Sequence, residues 1–421
     1  MKEVDAVSPA YSWESPHGGL QSMVSVLDLI RSGEAQTRPE LVRQTQLARN
    51  VVADRVERLQ ALGLVRDGGL RRSTGGRAPR SLELVLDAGL VYAAELGATR
   101  LEVGVANLSG QILVSEEMPI DVKEGPVQTL ETVLRALSSL SVDMEPRVWG
   151  MGIGLPGPVE WESGKPYAPP IMPGWDGFDV RGFFADRLGC PVWVDNDVNM
   201  MAVGELRAGV AQQYEDVVYL KVGTGVGAGI VSSGKLHRGA QGAAGDIGHI
   251  SVASGDAELC RCGNYGCLEA VAGGTKLVSA LEDALNEPNA SQLVQCCASG
   301  GRTVEAIVRA AHFGDPVAIR LLVESARTVG GVLAQLVNLL NPAMIVIGGR
   351  VGRSLDLYLA TLRQAVLRRS LPLATRSLEV VVSPLGERAG LVGAAFTAVD
   401  QLLSVEGIAR LLRRQSPVEV V

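Results

Sequence analysis

Three cysteines fall within eight residues, Cys260-Arg261-Cys262-Gly263-Asn264-Tyr265-Gly266-Cys267, and a histidine, His249, stands eleven positions upstream. No other feature of the chain restricts its folding as tightly. Thiolates and an imidazole this close in sequence converge only if the backbone turns sharply, and the interspersed glycines permit that turn. Three sulfurs and one ring nitrogen complete a tetrahedral zinc shell, whereas an iron-sulfur cluster usually takes four cysteines at wider spacing. With His249, Cys260, Cys262 and Cys267 filling every position, the zinc is expected to be structural rather than a source of hydroxide. Cys190, Cys296 and Cys297 lack ligand spacing, and six cysteines in 421 residues do not make a disulfide scaffold.

A chain of 421 residues exceeds the usual domain length two- to threefold, so several cores are expected. No apolar run approaches the roughly 18 residues of a membrane span, and the first residues lack the basic-then-apolar order of a secretory signal. The expectation is a cytoplasmic protein without membrane contact. The net charge of −7 conceals an asymmetry: residues 20 to 80 hold 11 Arg and no Lys against 6 acidic residues, a local +5, while residues 81 to 421 carry −10. A local positive field of this kind attracts a phosphate backbone.

Within that basic head, Leu20, Met23, Val24, Leu27 and Ile30 recur at helical spacing. Thr37-Arg38-Pro39-Glu40 starts a second helix, with Thr37 as cap, Pro39 in the first turn and Glu40 reaching back to a free amide. After a turn at Gln46-Leu47, a third helix over residues 49 to 62 buries Val52, Val56 and Leu59 and stops at Gly63. Residues 64 to 66 and 70 to 72 then read as a hairpin turning at Asp67-Gly68-Gly69. Three helices followed by a hairpin form a winged helix-turn-helix, whose third helix enters the DNA major groove. Arg49, Asn50 and Arg55 are the candidate groove or phosphate contacts. Residues 74 to 80 read as a flexible basic linker from which Arg77 and Arg80 reach the minor groove. A helical dimerisation module with incidental charge is the alternative.

The rest of the chain repeats one layout. Ala94-Glu95-Leu96-Gly97-Ala98-Thr99 and Val222-Gly223-Thr224-Gly225-Val226-Gly227 each read as a strand, a Gly-rich turn and a second strand. Bare glycine amides and a threonine hydroxyl suit phosphate oxygens, which makes Gly97, Thr99, Gly223, Thr224, Gly225 and Gly227 candidate nucleotide contacts. Duplication of the unit implies two related α/β lobes around a cleft. Between the turns, an apolar strand over residues 191 to 194 delivers Asp195-Asn196-Asp197 at its end, where α/β proteins place chemistry. Asp197 is positioned to take a proton from a hydroxyl and Asn196 to hold a neighbouring one. The competing role for this triplet is to cap the helix that follows.

Together with Gly152-Ile153-Gly154-Leu155-Pro156-Gly157-Pro158 and Asn341-Pro342-Ala343-Met344-Ile345-Val346-Ile347-Gly348-Gly349, these motifs resemble the ROK family (repressors, open reading frames, kinases) along essentially the whole chain. The basic head points to its regulator branch. The resemblance implies an α/β, actin-like, two-lobed sugar-kinase fold behind a winged helix-turn-helix. The expected divisions are residues 1–85 for the head with its linker, 86–195 with 386–421 for one lobe, and 196–385 for the other, which carries the metal site and an oligomerisation surface. It implies that Asn196, Asp197, Asp246, His249 and Glu269 contact a sugar, and that Asp197 is the base if kinase activity with ATP and Mg is retained. His249 would offer one nitrogen to zinc and the other to the sugar. Glu95 stands where the family's kinases carry Asp, and Asp246 where they carry Glu, which makes catalysis the less secure inheritance. In the head, Gln46 and Ala48 replace the usual Gly and Ser. The expected partners are operator DNA, a sugar or sugar phosphate effector, and further copies of the chain in a homodimer or homotetramer.

Overall fold

The computed structural model describes residues 16–70, 80–141, 147–253, 258–352 and 356–415. Helices α1 (Pro16–Ser32), α2 (Arg38–Thr45) and α3 (Arg49–Ala61) form the head. The Thr37 hydroxyl accepts from the Glu40 amide at 3.4 Å, and the Glu40 carboxylate accepts from the Gln36 amide at 3.0 Å, a reciprocal cap displaced one residue from the expected one. Gln46 adopts φ 57°, the left-handed backbone that glycine reaches without a Cβ penalty. Ala48 starts α3 without any side-chain cap. Val52, Val56 and Leu59 are buried, as their spacing requires.

The wing differs from the sequence expectation. Strand β1 (Val65–Leu70) pairs antiparallel with β2 (Arg80–Leu84), so Asp67-Gly68-Gly69 lies inside a strand and not at a turn. The register is chosen by packing: it places Leu82 in the head's core with no solvent exposure. Gly68 leaves room for the cross-strand Ser81 and Glu83 side chains, since a Cβ there would lie 2.4 and 2.2 Å from them. Of the basic segment read as a linker, residues 74–79 lie outside the described residues, and its last residue begins β2. Arg77 lies outside the described residues; Arg80 is the exposed first residue of β2. The actual connection is tied at both ends, by the Val85 amide to the Leu64 carbonyl and by the Leu108 amide to the Leu86 carbonyl.

Behind the head stand two five-stranded sheets of identical pattern. In the first, β5 (Ile112–Pro119), β4 (Arg100–Asn107) and β3 (Leu90–Leu96) run antiparallel, followed by parallel β6 (Val148–Leu155) and β9 (Val192–Asn196). In the second, β12 (Lys235–Leu236), β11 (Val226–Ser232) and β10 (Val217–Val222) are antiparallel, followed by parallel β13 (Met344–Gly348) and β14 (Glu379–Val382). A small hairpin of β7 (Val159–Glu160) and β8 (Lys165–Pro166) leaves the end of β6. The first lobe's sheet is covered by α4 (Pro126–Leu140) and α5 (Val180–Leu188). The 25-residue helix Pro316–Leu340 forms the spine of the second lobe's core.

Two helices lie between the sheets: α6 (Asp197–Ala208), which also packs on β10 and β11, and Ala389–Leu402, which packs on β3 and β6. Their backbones touch. A Cβ on Gly393 would sit 1.6 Å from the Met200 carbonyl oxygen, and one on Gly204 would sit 2.2 Å from that of Ala389. The head shares its core with the first lobe: Met23, Leu27 and Leu82 are continuous with Val91, Ala106, Ala398, Leu402 and Ile408. The last helix, Val405–Gln415, rests against α1. Among the described residues, no single helix is long and apolar enough to cross a membrane.

Candidate functional site

A cleft of about 390 Å³ between the lobes brings together all five candidate sugar contacts: Asn196, Asp197, Asp246, His249 and Glu269. Strand β9 ends at Asn196, whose side-chain carbonyl caps α6 by accepting from the Val198 and Asn199 amides at 2.9 and 3.3 Å. Its amide nitrogen donates to the Gly157 carbonyl at 3.0 Å, which leaves one N–H for a ligand. The capping role is therefore real, and Asn196 can do no more than donate. Asp195 does not serve the cleft. Its buried carboxylate accepts from Asn199 at 2.8 Å and from Arg238 at 2.7 Å, and Arg238 stacks on the Trp161 ring.

Asp197 is the first residue of α6, its side chain 3% exposed, with one carboxylate oxygen 2.5 Å from Lys221 Nζ. Sequence reading missed Lys221. The available signal was a lone cation in the apolar strand Val217–Val222 immediately before the second Gly-rich turn. Glu269, on the short α7 (Leu268–Ala272), projects toward that turn; a Cβ on Gly225 would stand 2.6 Å from its carboxylate. A side chain at 225 would therefore have to displace the end of Glu269. Thr224, Gly225 and Gly227 line the cleft, whereas from the first Gly-rich turn the lining residue is Ala98, between the candidates Gly97 and Thr99. Gly223 is not a lining residue either.

One wall of the cleft is the Cys/His group. The His249 ring nitrogens and the Cys260, Cys262 and Cys267 sulfurs supply ligand atoms all within 4.8 Å of one another, and the group could hold a metal ion. His249 sits on the single turn Ile247–His249 with Nδ1 3.6 Å from the Cys260 sulfur and Nε2 3.9 Å from an Asp246 oxygen. Glycines at 263 and 266, with φ 90° and 70°, make the reversal that returns Cys267 toward Cys260. Burial pushes the Cys260 thiol up to about 12, whereas Cys262, although burial opposes it, is drawn down to about 7 by the Asn264 amide and the neighbouring thiols. Three sulfurs at this spacing are simultaneously anionic only around a cation, which fits a metal. Burial also holds Asp246 above the ordinary carboxylate range, against the pull of His249.

In the head, Arg49 and Asn50 are exposed at the start of α3. Arg55 is held within the head: its side chain is 16% exposed, bonded to the Ser22 hydroxyl at 2.9 Å and to Asp54. A carboxylate one residue before it captures the guanidinium. The head meets the body at Asp400, which accepts from Arg31 of α1 at 2.8 Å and from Arg207, near the end of α6, at 2.6 Å. Asp28 of α1 lies close by, its carboxyl raised by burial and by Asp400.

Two duplicated sheets closing on a carboxylate-lined cleft, with a helical head in front, define an actin-like sugar-kinase fold carrying a helix-turn-helix. The ROK family model matches residues 91–401, and the chain belongs to that family. The xylose repressor of Caldicellulosiruptor bescii is 31% identical over 386 residues, 90% of this chain and 95% of that protein. A crystal structure of a ROK transcriptional regulator, a homologue of the E. coli MLC protein, matches 94% of this chain and all of its own at TM-score 0.81 and 26% identity. The ROK glucokinase of Streptomyces griseus, solved with glucose and AMPPNP, matches 74% of this chain and 99% of its own at TM-score 0.67 and 33% identity. Relatives of both kinds, regulators and kinases, therefore share the body, and the regulator match extends over the head.

Proposed function

We propose that this protein is a sugar-responsive transcriptional repressor that binds operator DNA through its head and a sugar or sugar phosphate in the cleft. The observation that carries this reading is the reach of α6. It begins in the cleft at Asp197 and, three turns later, Arg207 shares the Asp400 carboxylate with Arg31 of the head. A ligand that moves the start of α6 acts on a rigid element whose other end is tied to α1 through Asp400, so differential binding to two lobe arrangements shifts the head. Asp197 and Glu269 accept from sugar hydroxyls, and Asn196 donates. The Cys/His group holds structural zinc, which fixes the tautomer and direction of His249 toward the sugar.

Helix-turn-helix proteins read two half-sites about 34 Å apart or a multiple, which requires at least two heads. Leu339, Leu367, Leu371 and Leu373, 62 to 81% exposed, give the second lobe an apolar surface suited to a homodimer or homotetramer contact. Sedimentation of Leu373→Asp tests that surface, and an unchanged mass would remove it. The regulator reading is tested by mobility shift on the DNA upstream of the protein's own gene, with and without a sugar panel. Retention of DNA that one sugar abolishes is the expected result; absence of binding under every condition would sink it. A second reading, ATP-dependent sugar phosphorylation with Asp197 as base, is favoured by the Thr224–Gly225–Gly227 turn on the cleft wall. Sugar-dependent ADP release abolished by Asp197→Asn would establish it.

A further inference from the structure

Lys221 stands on β10 directly opposite Gly227 of β11 and Gly348 of β13, so no Cβ crowds its stem from either neighbouring strand. Val218, Leu220 and Val222 fill the core on the other face of the strand, which leaves Lys221 on the face covered by α6. There its ammonium meets the Asp197 carboxylate at 2.5 Å. Glu95, at the end of β3, is 5% exposed, and one of its oxygens is buried without a hydrogen-bond partner. Of the charges acting on Glu95, that of Lys221 is the largest. The Asp197 carboxylate in turn holds Lys221 in its charged form against burial.

A carboxylate beside a phosphate-suited turn is what a hydrated magnesium ion takes in phosphoryl-transfer sites, together with the substrate's phosphates. Here the positive charge beside Asp197 is supplied by the protein. Magnesium demands near-octahedral oxygen ligands at about 2.0–2.1 Å and keeps several waters. It cannot share an Asp197 oxygen that already lies 2.5 Å from an ammonium nitrogen. The residues at this end of the cleft do not fit a magnesium-nucleotide complex.

We propose that Lys221 is a built-in counter-cation that replaces the divalent ion of a kinase cleft. It neutralises Asp197, holds it as a fixed acceptor for a sugar hydroxyl, and commits the cleft to sensing rather than phosphorylation. The part concerning the sugar rests on the regulator reading above; the part concerning the cation does not. Two measurements on the full-length protein separate them. Manganese binding followed by electron paramagnetic resonance needs no sugar. Wild type and Lys221→Arg are expected to bind none, whereas Lys221→Met binds one ion per chain and Lys221→Met with Asp197→Asn loses it. Calorimetry with the responsive sugar gives the second readout. Wild-type affinity is expected to be indifferent to added magnesium, while Lys221→Met loses at least about tenfold and regains part of it when magnesium is added, about 1.4 kcal/mol per tenfold. Manganese bound by the wild type at Asp197 would overturn the proposal even if Lys221→Met failed to fold. Manganese absent from a folded Lys221→Met would overturn it as well. If no sugar binds the wild type, the regulator reading falls and the manganese result alone decides Lys221.

Discussion

Gly393→Ala tests whether the contact between α6 and the helix Ala389–Leu402 organises the cleft. In an ordinary helix the change stabilises by about 1 kcal/mol, because alanine has the better helix propensity. Here the new methyl would lie 1.6 Å from the Met200 carbonyl oxygen, and real Cβ contacts do not fall below 3.0 Å. The helices must separate locally by about 1.4 Å, and both partners are backbone, so no side-chain rotation relieves the overlap. Overpacking of this kind costs roughly 3 kcal/mol, a net loss near 2 kcal/mol after the propensity gain and several degrees in Tm. Met200 is three residues beyond Asp197 on α6, so the displacement reaches the cleft. A shift near 1 Å at a positioned group is worth on the order of a hundredfold, and sugar affinity should fall at least about tenfold. Thermal unfolding and calorimetry read the two effects, with Gly69→Ala as control because nothing lies within 4 Å of a Cβ there. A Gly393→Ala protein as stable as wild type, with unchanged ligand affinity, would refute the packing argument.

Other predictions concern the charges and the metal group. Burial raises Glu95 from 4.5 to about 8, so the folded chain holds a proton that the unfolded chain releases above 4.5. Its contribution to stability is full below pH 4.5 and is lost as pH rises to about 8, with a slope of about 1.4 kcal/mol per pH unit in between; Glu95→Gln should flatten this part of the profile and melt higher than wild type at pH 8. Equal pH dependence in the two proteins would contradict the assignment. Arg49→Ala should weaken DNA binding across sequences and lower the salt slope by about one, while Arg55→Ala should leave that slope unchanged and lower thermal stability, because Arg55 is tied to Ser22 and Asp54. Cys262→Ser should lose bound metal and sugar response together, by metal analysis and mobility shift; metal lost with the sugar response intact would make the group a clamp without a part in recognition.

Local rules made much of the molecule legible in its sequence. Periodicity located the buried face of α3, Thr37 and Glu40 marked the start of α2, and the repeated Gly-rich turns announced two lobes of one pattern. The Cys/His group could be read because ligand chemistry demands particular atoms at short spacing. All of these are properties of residues a few positions apart.

What the sequence could not decide depends on residues far apart in the chain. The wing's return strand was read at residues 70 to 72, whereas the strand that pairs with β1 is Arg80–Leu84, whose Leu82 is fully buried in the head's core. Nothing local to Arg55 announced its partner Ser22 on α1, 33 residues away. Lys221 and Asp197 are 24 residues apart, Arg31 and Asp400 are 369 apart, and nothing local in either segment announces its partner. Charge pairing at a cleft or a domain junction is a matter of distance in space, and that distance is set by the whole packed core.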